Sequence, residues 1–449
     1  MTANGQRTGI ITVTYNSADV LPLWGIGFVV AFLTMHARIF TSFSAEYQPI
    51  LFLLLVFLAL ISAARIPQDT ILPFLGFFTV FLVASFEHAL TDSLNTLDLM
   101  RCLIGPVFFC GASVLMRKIP IGTFKFIIWI HVVLAVMGLI YPRSATFLPS
   151  LMGVRYAMLG KWNGFFASEP SQAAMDIAAI IALSKLKSET SSMPDKLDWM
   201  LAMSIIIFVS TMSVTGLVFA VALGAAWATG RKTISLLKFI FVLSVVVTAL
   251  LVFAGILYTN GILALERINN IDVAASKAFT QTSFTVLFYI DPSSAWRFFT
   301  NVGGLSVALH HPIGIGQLDI KSLLLDVVPH PLVYIIQHNP LYEAYELPIY
   351  AAAPLENFAI FGGILPSFFL LLLTFNTIRR ITHNERIKEP FFIIFVLLVG
   401  LIWQGALAAP GWWLLLGYAY VKGKAMDITD SFCSWRISVI RSNASGQLL

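Results

Sequence analysis

Arg297 and the adjacent pair His310 and His311 lie in residues 291–316, DPSSAWRFFTNVGGLSVALHHPIGIG. A guanidinium offers a planar fork of N–H donors that matches phosphate oxygens, which makes Arg297 a candidate for holding a phosphorylated substrate. Asp291-Pro292 reads as an N-cap followed by proline at the first helical position, and His311-Pro312 with Gly314 and Gly316 reads as the stop. On the helix between them Trp296, Phe299, Gly303, Val307 and His310 share one face, while Arg297, Asn301, Gly304 and Ala308 share another. The small residues at 304 and 308 leave room beside Arg297 for something bulky. The same arginine could instead snorkel at a membrane surface or pair with an acid.

A second stretch supplies further charges: Arg155-Tyr156, Lys161-Trp162-Asn163-Gly164 and Ser168-Glu169-Pro170-Ser171. Arg155 and Lys161, beside aromatics, could hold an anionic lipid headgroup. Glu169 is the first choice for a base that takes a proton from a sugar hydroxyl, with His311 and His338 second. A Glu-Pro pair is also an ordinary helix start. Asp176 sits about one and a half turns into the following apolar run, where an acid is costly and functional by default, unless it pairs with a residue such as Arg101. His338-Asn339-Pro340, with Tyr342, Glu343, Tyr345 and Glu346, forms a patch that could receive sugar rings or simply face water. His131 is alone in an apolar run and reads as a hydrogen-bonded core histidine. His311, next to Pro312 and Gly314, reads more readily as a helix-end residue than as the base. No His, Asp or Glu spacing matches a metal motif, and three cysteines set out no disulfide framework.

The elements that must position these groups are membrane helices. Of 449 residues 58% are apolar and only 11% charged, against about 25% charged in a soluble protein. The mean hydropathy is +0.85. Lipid forces the backbone to satisfy itself, so the expected class is all-α, a polytopic integral membrane protein. Candidate spans are 21–40, 49–64, 71–90, 98–116, 122–141, 171–187, 198–213, 214–229, 236–258, 355–376, 389–407 and 409–422. Ser213-Val214-Thr215-Gly216 is a plausible tight turn between two of them. Residues 8–20 alternate like a strand, resembling the first strand of a family 2 glycosyltransferase, but one strand cannot bind a nucleotide alone. The first 20 residues lack the order of a cleavable signal peptide.

About twelve spans put both termini on one side. The positive-inside rule makes that side cytoplasmic, with 19 of the 28 basic residues on it. A sequence pI near 9.0 is then a topology signal rather than a call for nucleic acid. The chain divides into a cytoplasmic segment 1–20, a transmembrane catalytic domain 21–424 and a cytoplasmic tail 425–449. Two outer loops are long, 142–170 and 259–354. The second is too long for a mere connection and carries apolar runs at 283–290, 296–309 and 323–336. They are expected to form short amphipathic helices at the membrane surface, packed over the bundle.

Five elements occur in order: Gly164-Phe165-Phe166-Ala167-Ser168-Glu169-Pro170-Ser171; Ser213-x-Thr215-Gly216; Arg297 in SAWRFFTNVGG; His311-Pro312-Ile313-Gly314-Ile315-Gly316; and Leu355-Glu356 with Phe361-Gly362. Together they resemble the O-antigen polymerase and O-antigen ligase superfamily over roughly residues 150–370. The resemblance implies a C-type glycosyltransferase of a bacterial inner membrane, working on its periplasmic face without metal or other cofactor. Its substrate would be an oligosaccharide on undecaprenyl diphosphate, and a flippase and a chain-length regulator of the same pathway would be its partners. It implies that Arg155 and Arg297 contact the diphosphate. Lys161, His311, His338 and Glu356 complete the expected substrate-binding set. The ligase pattern has His-Asn shortly before its Leu-Glu. Here Ala351, Ala352, Ala353 and Pro354 stand there, and His338-Asn339 lies about 17 positions upstream, which favours the polymerase. A ligase, a lipid-linked oligosaccharide flippase and a non-catalytic assembly partner are the alternatives.

Overall fold

A computed structural model describes residues 17–36, 49–140, 170–188, 203–228, 292–326 and 351–423, apart from a few positions inside these ranges. The described residues are helical and contain no strand. In chain order they form α1 (Ser17–Thr34), α2 (Ile50–Ile61), α3 (Gln68–Leu90), α4 (Thr96–Lys118), α5 (Ile121–Ile140), α6 (Pro170–Ser188), α7 (Val214–Ala228), α8 (Pro292–His310), α9 (Pro354–Gly362), α10 (Ile364–His383), α11 (Pro390–Val399) and α12 (Pro410–Gly423). A π-helical turn, Gly400–Gln404, continues α11. Proline opens α6, α8, α9, α11 and α12, where its missing N–H costs nothing and its fixed φ suits the helix. Asn95 caps α4 by accepting from the N–H groups of Leu97 and Asp98. Ser213 caps α7, its Oγ accepting from the Gly216 N–H at 2.9 Å, so the expected turn is a helix start.

The helices α3, α4 and α10 are long and apolar enough to cross a membrane, and α2, α11 with its π turn, and stretches of α1, α5 and α7 are shorter apolar helices. The exterior is apolar where helices meet no neighbour: Leu72, Leu82 and Phe86 on α3, and Leu365, Phe368 and Phe375 on α10, are exposed. That is the reverse of a water-soluble surface and fits a hydrocarbon surround. At the centre α4 and α12 run parallel in close contact. A Cβ on Gly105 would fall 2.1 Å from Trp413 Cε2, and one on Gly417 would fall 2.3 Å from the Phe109 carbonyl oxygen. Small residues let the backbones approach, which is how helices gain packing in lipid. Phe77, Phe81, Phe358 and Trp413 then tie α3, α9 and α12 together through edge and tilted ring contacts.

The bundle has two chemically different ends. At one, cations follow the C-termini of α4, α6, α10 and α12, as the helix dipole favours. Arg380 lies over the Tyr420 ring at 3.9 Å and donates to the Tyr420 carbonyl. Lys187 donates to the Met116 carbonyl, and Lys118 lies over Trp24 near the start of α1. The other end gathers the start of α6, α8, α9 and the α3–α4 connection.

Three sequence expectations change. The run 355–376 is not one helix: it breaks at Gly363, whose φ of +78° and ψ of −152° no other residue adopts comfortably. The spanning helix is therefore α10, and α9, nine residues long, is too short to cross a bilayer. Residues 17–20 of the strand-like segment belong to α1. The run 296–309 falls within a single 19-residue helix, α8, with polar residues buried against the bundle. The runs at 236–258 and 283–290 lie outside the described residues.

Candidate functional site

The site is organised by one face of α8. Arg297 is buried, at 7% exposure, and its Nη2 donates to Ser171 Oγ at 2.7 Å in the first turn of α6. One turn on, Asn301 Nδ2 donates to the Ile402 carbonyl in the π-helical turn, and its Oδ1 accepts from the Ala352 N–H just before α9. One further turn brings Gly304 against α9: a Cβ there would lie 3.0 Å from Glu356 Cβ and 3.1 Å from Ile360 Cδ1. Both faces that the spacing grouped are buried over most of their length, Phe299 and Val307 as well as Arg297, Asn301 and Ala308, and the exposed positions are Leu305, Leu309 and His310. The space expected at Gly304 is filled by α9 rather than held open for a ligand. Its small size allows close packing.

A π turn supplies backbone carbonyls outside the regular i→i−4 ladder, and such turns are frequent at functional sites. Here the turn lets Ile402 serve the side chain of Asn301. Gly400 is required beside it, because a Cβ would fall 2.0 Å from Trp412 Cδ1. Trp412 in turn donates its Nε1–H to the Leu397 carbonyl.

Glu356 stands at the third helical position of α9, behind Ala353 and Pro354. It is 2% exposed, and its Oε2 has no hydrogen-bond partner. Burial pushes its carboxyl up to about 8. The neighbouring carboxamides are satisfied: Asn357 donates to the carbonyls of Ala351 and Ala353. Along α8, Gly304 is seven residues from Arg297, so the cation and the carboxyl lie at levels about 10 Å apart on one side of the helix.

His311 takes a different place. It is exposed and ends α8, its N–H donating to the Val307 carbonyl and its carbonyl accepting from the Gly314 N–H. Helix length alone separates it from the level of Arg297 by roughly 20 Å. The residues that follow form a strap. Ile315 and Gly316 donate to the carbonyls of Ile360 and Phe361, Ile364 donates to the Pro312 carbonyl, and Asn95 donates to the Gly316 carbonyl. Gly314 and Gly316 have φ of +85° and +71°, as this tight path requires. The Leu318 N–H donates to Asp98 Oδ2 at 2.9 Å, and Arg101 donates to Asp98 Oδ1 at 2.7 Å. The His-Pro-Ile-Gly-Ile-Gly segment thus fixes α8 to the α9–α10 junction and to the α3–α4 connection.

Asp176 does not pair with Arg101. Its Oδ2 lies 2.8 Å from His36 Nε2, both side chains being buried. His131 is the core histidine expected, with Nδ1 2.8 Å from the Ile127 carbonyl oxygen. Arg155, Lys161, Glu169 and His338 lie outside the described residues. Sequence reasoning missed His36, the π turn and the partnership of Arg297 with Ser171. An ionisable residue inside an apolar run was the available signal for His36. Among the described residues no group of three or more His, Cys, Asp and Glu is gathered as a metal site would need.

No family model matches the chain, and no curated protein matches it.

Proposed function

We propose that the chain is a polysaccharide polymerase of the O-antigen type. It transfers an oligosaccharide from undecaprenyl diphosphate to a lipid-linked acceptor glycan at the periplasmic face of a bacterial inner membrane. The observation that carries the reading is Arg297: a guanidinium buried at the non-cationic end of an apolar helical bundle, oriented by Ser171 rather than extended to a surface. A fixed cation in a site of low polarity acts strongly on nearby charge. When the glycan leaves its carrier, negative charge develops on the diphosphate. A cation placed for that charge stabilises the transition state more than the ground state, which is what accelerates the step.

In this reading the cationic end is cytoplasmic, both termini lie there, and about twelve helices cross the bilayer. The loop 259–354, with α8 in it, is periplasmic. Arg155 and Lys161 add cations to the carrier's diphosphate, His311 and His338 contribute to glycan binding, and a flippase and a chain-length regulator supply substrate and set product length. The enzyme uses no metal or other cofactor, as the family resemblance implies.

Incubating the purified protein in lipid with an undecaprenyl-diphosphate-linked repeat unit tests the proposal. A polymerase builds a ladder of longer lipid-linked glycans. Transfer onto a lipid A core alone identifies a ligase. An unchanged glycan that crosses the bilayer identifies a transporter.

A further inference from the structure

We propose that α8 rests in the hydrocarbon of the leaflet at its end of the bundle, with Leu305, Leu309 and Ile313 as its lipid contact. The inference stands apart from the glycosyl-transfer reading and needs only that the bundle sits in a membrane. A helix washed by water turns its polar residues outward and its apolar ones toward the core. In lipid that order reverses, and polar side chains face the bundle interior, where they find partners. The second pattern is the one α8 follows. Arg297, Thr300, Asn301 and Ser306 are all buried. Thr300 Oγ1 donates to the Arg297 carbonyl at 3.1 Å, and Asn301 is held by backbone groups of two other elements. What α8 exposes is apolar until its last residue, His310: Leu305 is exposed and Leu309 is 75% exposed.

Continuity with the outside of the bundle identifies the occupant. A lone exposed leucine carries no message, whereas a contiguous apolar surface does. Past the end of α8 the exposed Ile313 extends the ridge. The Pro312 carbonyl accepts from the Ile364 N–H at 2.9 Å, and a Cβ on Gly363 would fall 2.6 Å from the Ile313 carbonyl carbon. Ile313 therefore adjoins the start of α10. From there Ile364, Leu365 and Phe368 carry the exposed apolar surface down α10, a helix long and apolar enough to cross a membrane. On its other side the Ile313 carbonyl oxygen lies 3.3 Å from His88 Nε2 near the end of α3, a second helix of spanning length. The medium that surrounds α3 and α10 thus reaches α8 without a change in surface chemistry. α8 belongs to a long loop, yet it lies in the leaflet rather than above it. The end of the bundle that holds Arg297 is then within lateral reach of a lipid in the same leaflet.

The test puts a polarity-sensitive fluorophore on single cysteines of the full chain in phosphatidylcholine vesicles, with or without a nitroxide on the lipid acyl chain. Cys433→Ser removes one native thiol, and Cys102 and Cys110 are buried. The label goes on Leu309→Cys, on Phe368→Cys as the lipid reference, and on Thr96→Cys, at the exposed start of α4, as the aqueous reference. At 309 the nitroxide lipid is expected to remove as much fluorescence as at 368, with the same blue shift. Iodide, which quenches the label at 96, should leave 309 bright. Iodide quenching at 309 equal to that at 96 puts the ridge in water and overturns the proposal. Quenching by neither agent puts protein over the ridge and overturns it too. Should Leu309→Cys fail to accumulate, the wild-type chain is irradiated in vesicles holding a phospholipid with a diazirine on its acyl chain. Adducts are expected on residues 305–313 as well as on α10, and adducts on α10 with none on 305–313 overturn the proposal. No arm reads glycan elongation, so a protein that never lengthens a glycan but shows the lipid pattern at 309 removes the glycosyl-transfer reading and leaves this inference standing.

Discussion

The Arg297 guanidinium crosses from α8 to α6, where its Nη2 donates to Ser171 Oγ at 2.7 Å. The hydroxyl fixes the direction in which the guanidinium points. Arg297→Ala is expected to abolish polymer in a complementation assay at normal protein levels. Arg297→Lys should recover little, because a point charge cannot reproduce the fork. Ser171→Ala should cost about tenfold, the equivalent of ~1.4 kcal/mol for one hydrogen bond to a charged group. Polymer length on gels, set against immunoblotted protein, reads all three. Long chains in the Arg297→Ala strain would remove this residue from the site.

Gly304 offers a graded test of how tightly α8 must lie on α9. A methyl at Gly304 meets Glu356 Cβ at 3.0 Å and Ile360 Cδ1 at 3.1 Å, so Gly304→Ala needs a shift of a few tenths of an ångström. Gly304→Leu cannot be accommodated that way. Overpacking of this kind costs about 1–3 kcal/mol and would carry Arg297 away from Ser171. The alanine variant should keep most activity and the leucine variant should lose it, with a lower melting temperature in detergent. Equal activity in both would show that the α8–α9 contact does not set the site.

Gly363 is the pivot between α9 and α10. Its φ of +78° combines with a carbonyl neighbour: a Cβ would fall 2.0 Å from the Pro312 oxygen. Both the conformation and the contact exclude a side chain, and the conformation alone costs about 1–3 kcal/mol for a non-glycine residue. Gly363→Ala should therefore reduce the folded yield and loosen the strap at 312–316. Limited proteolysis of the strap compares wild type and variant. Identical cleavage rates would show that the strap holds without this junction.

Much of the helix order was legible because its cause is local. Apolar runs of the right length and the prolines at 292, 390 and 410 mark helices wherever they are placed in space. The helical grouping of Arg297, Asn301, Gly304 and Ala308 was legible too, but spacing did not show that Phe299 and Val307 on the neighbouring face would be buried as well. The break at Gly363 was not: hydropathy runs unbroken through 355–376, and only the backbone path around Pro312 demands the positive φ. The π turn at Gly400–Gln404 leaves the composition of its run unchanged and is invisible to periodicity over so few residues. His36 and Asp176 stand 140 positions apart, and no local pattern relates them. The use of Gly304 was misread for the same reason: a small residue signals close approach but not by what.

The buried carboxyl of Glu356 makes a prediction about stability that is independent of any assay for activity. Its ordinary value is 4.5, and burial raises it to about 8 in the folded chain. Between those values the unfolded chain releases a proton that the folded chain retains. Raising the pH therefore favours unfolding through this group: its stabilising contribution is intact below about 4.5 and is lost progressively as pH rises toward 8. Glu356→Gln removes the titration while keeping the shape. Melting temperatures of the two proteins in detergent, measured from pH 5 to pH 8.5, should diverge with the wild type falling relative to the variant, because every other titrating group is common to both. Two curves that stay parallel across this window would mean that Glu356 ionises as freely in the folded protein as in water, and the unpartnered Oε2 would then have to be reached by solvent.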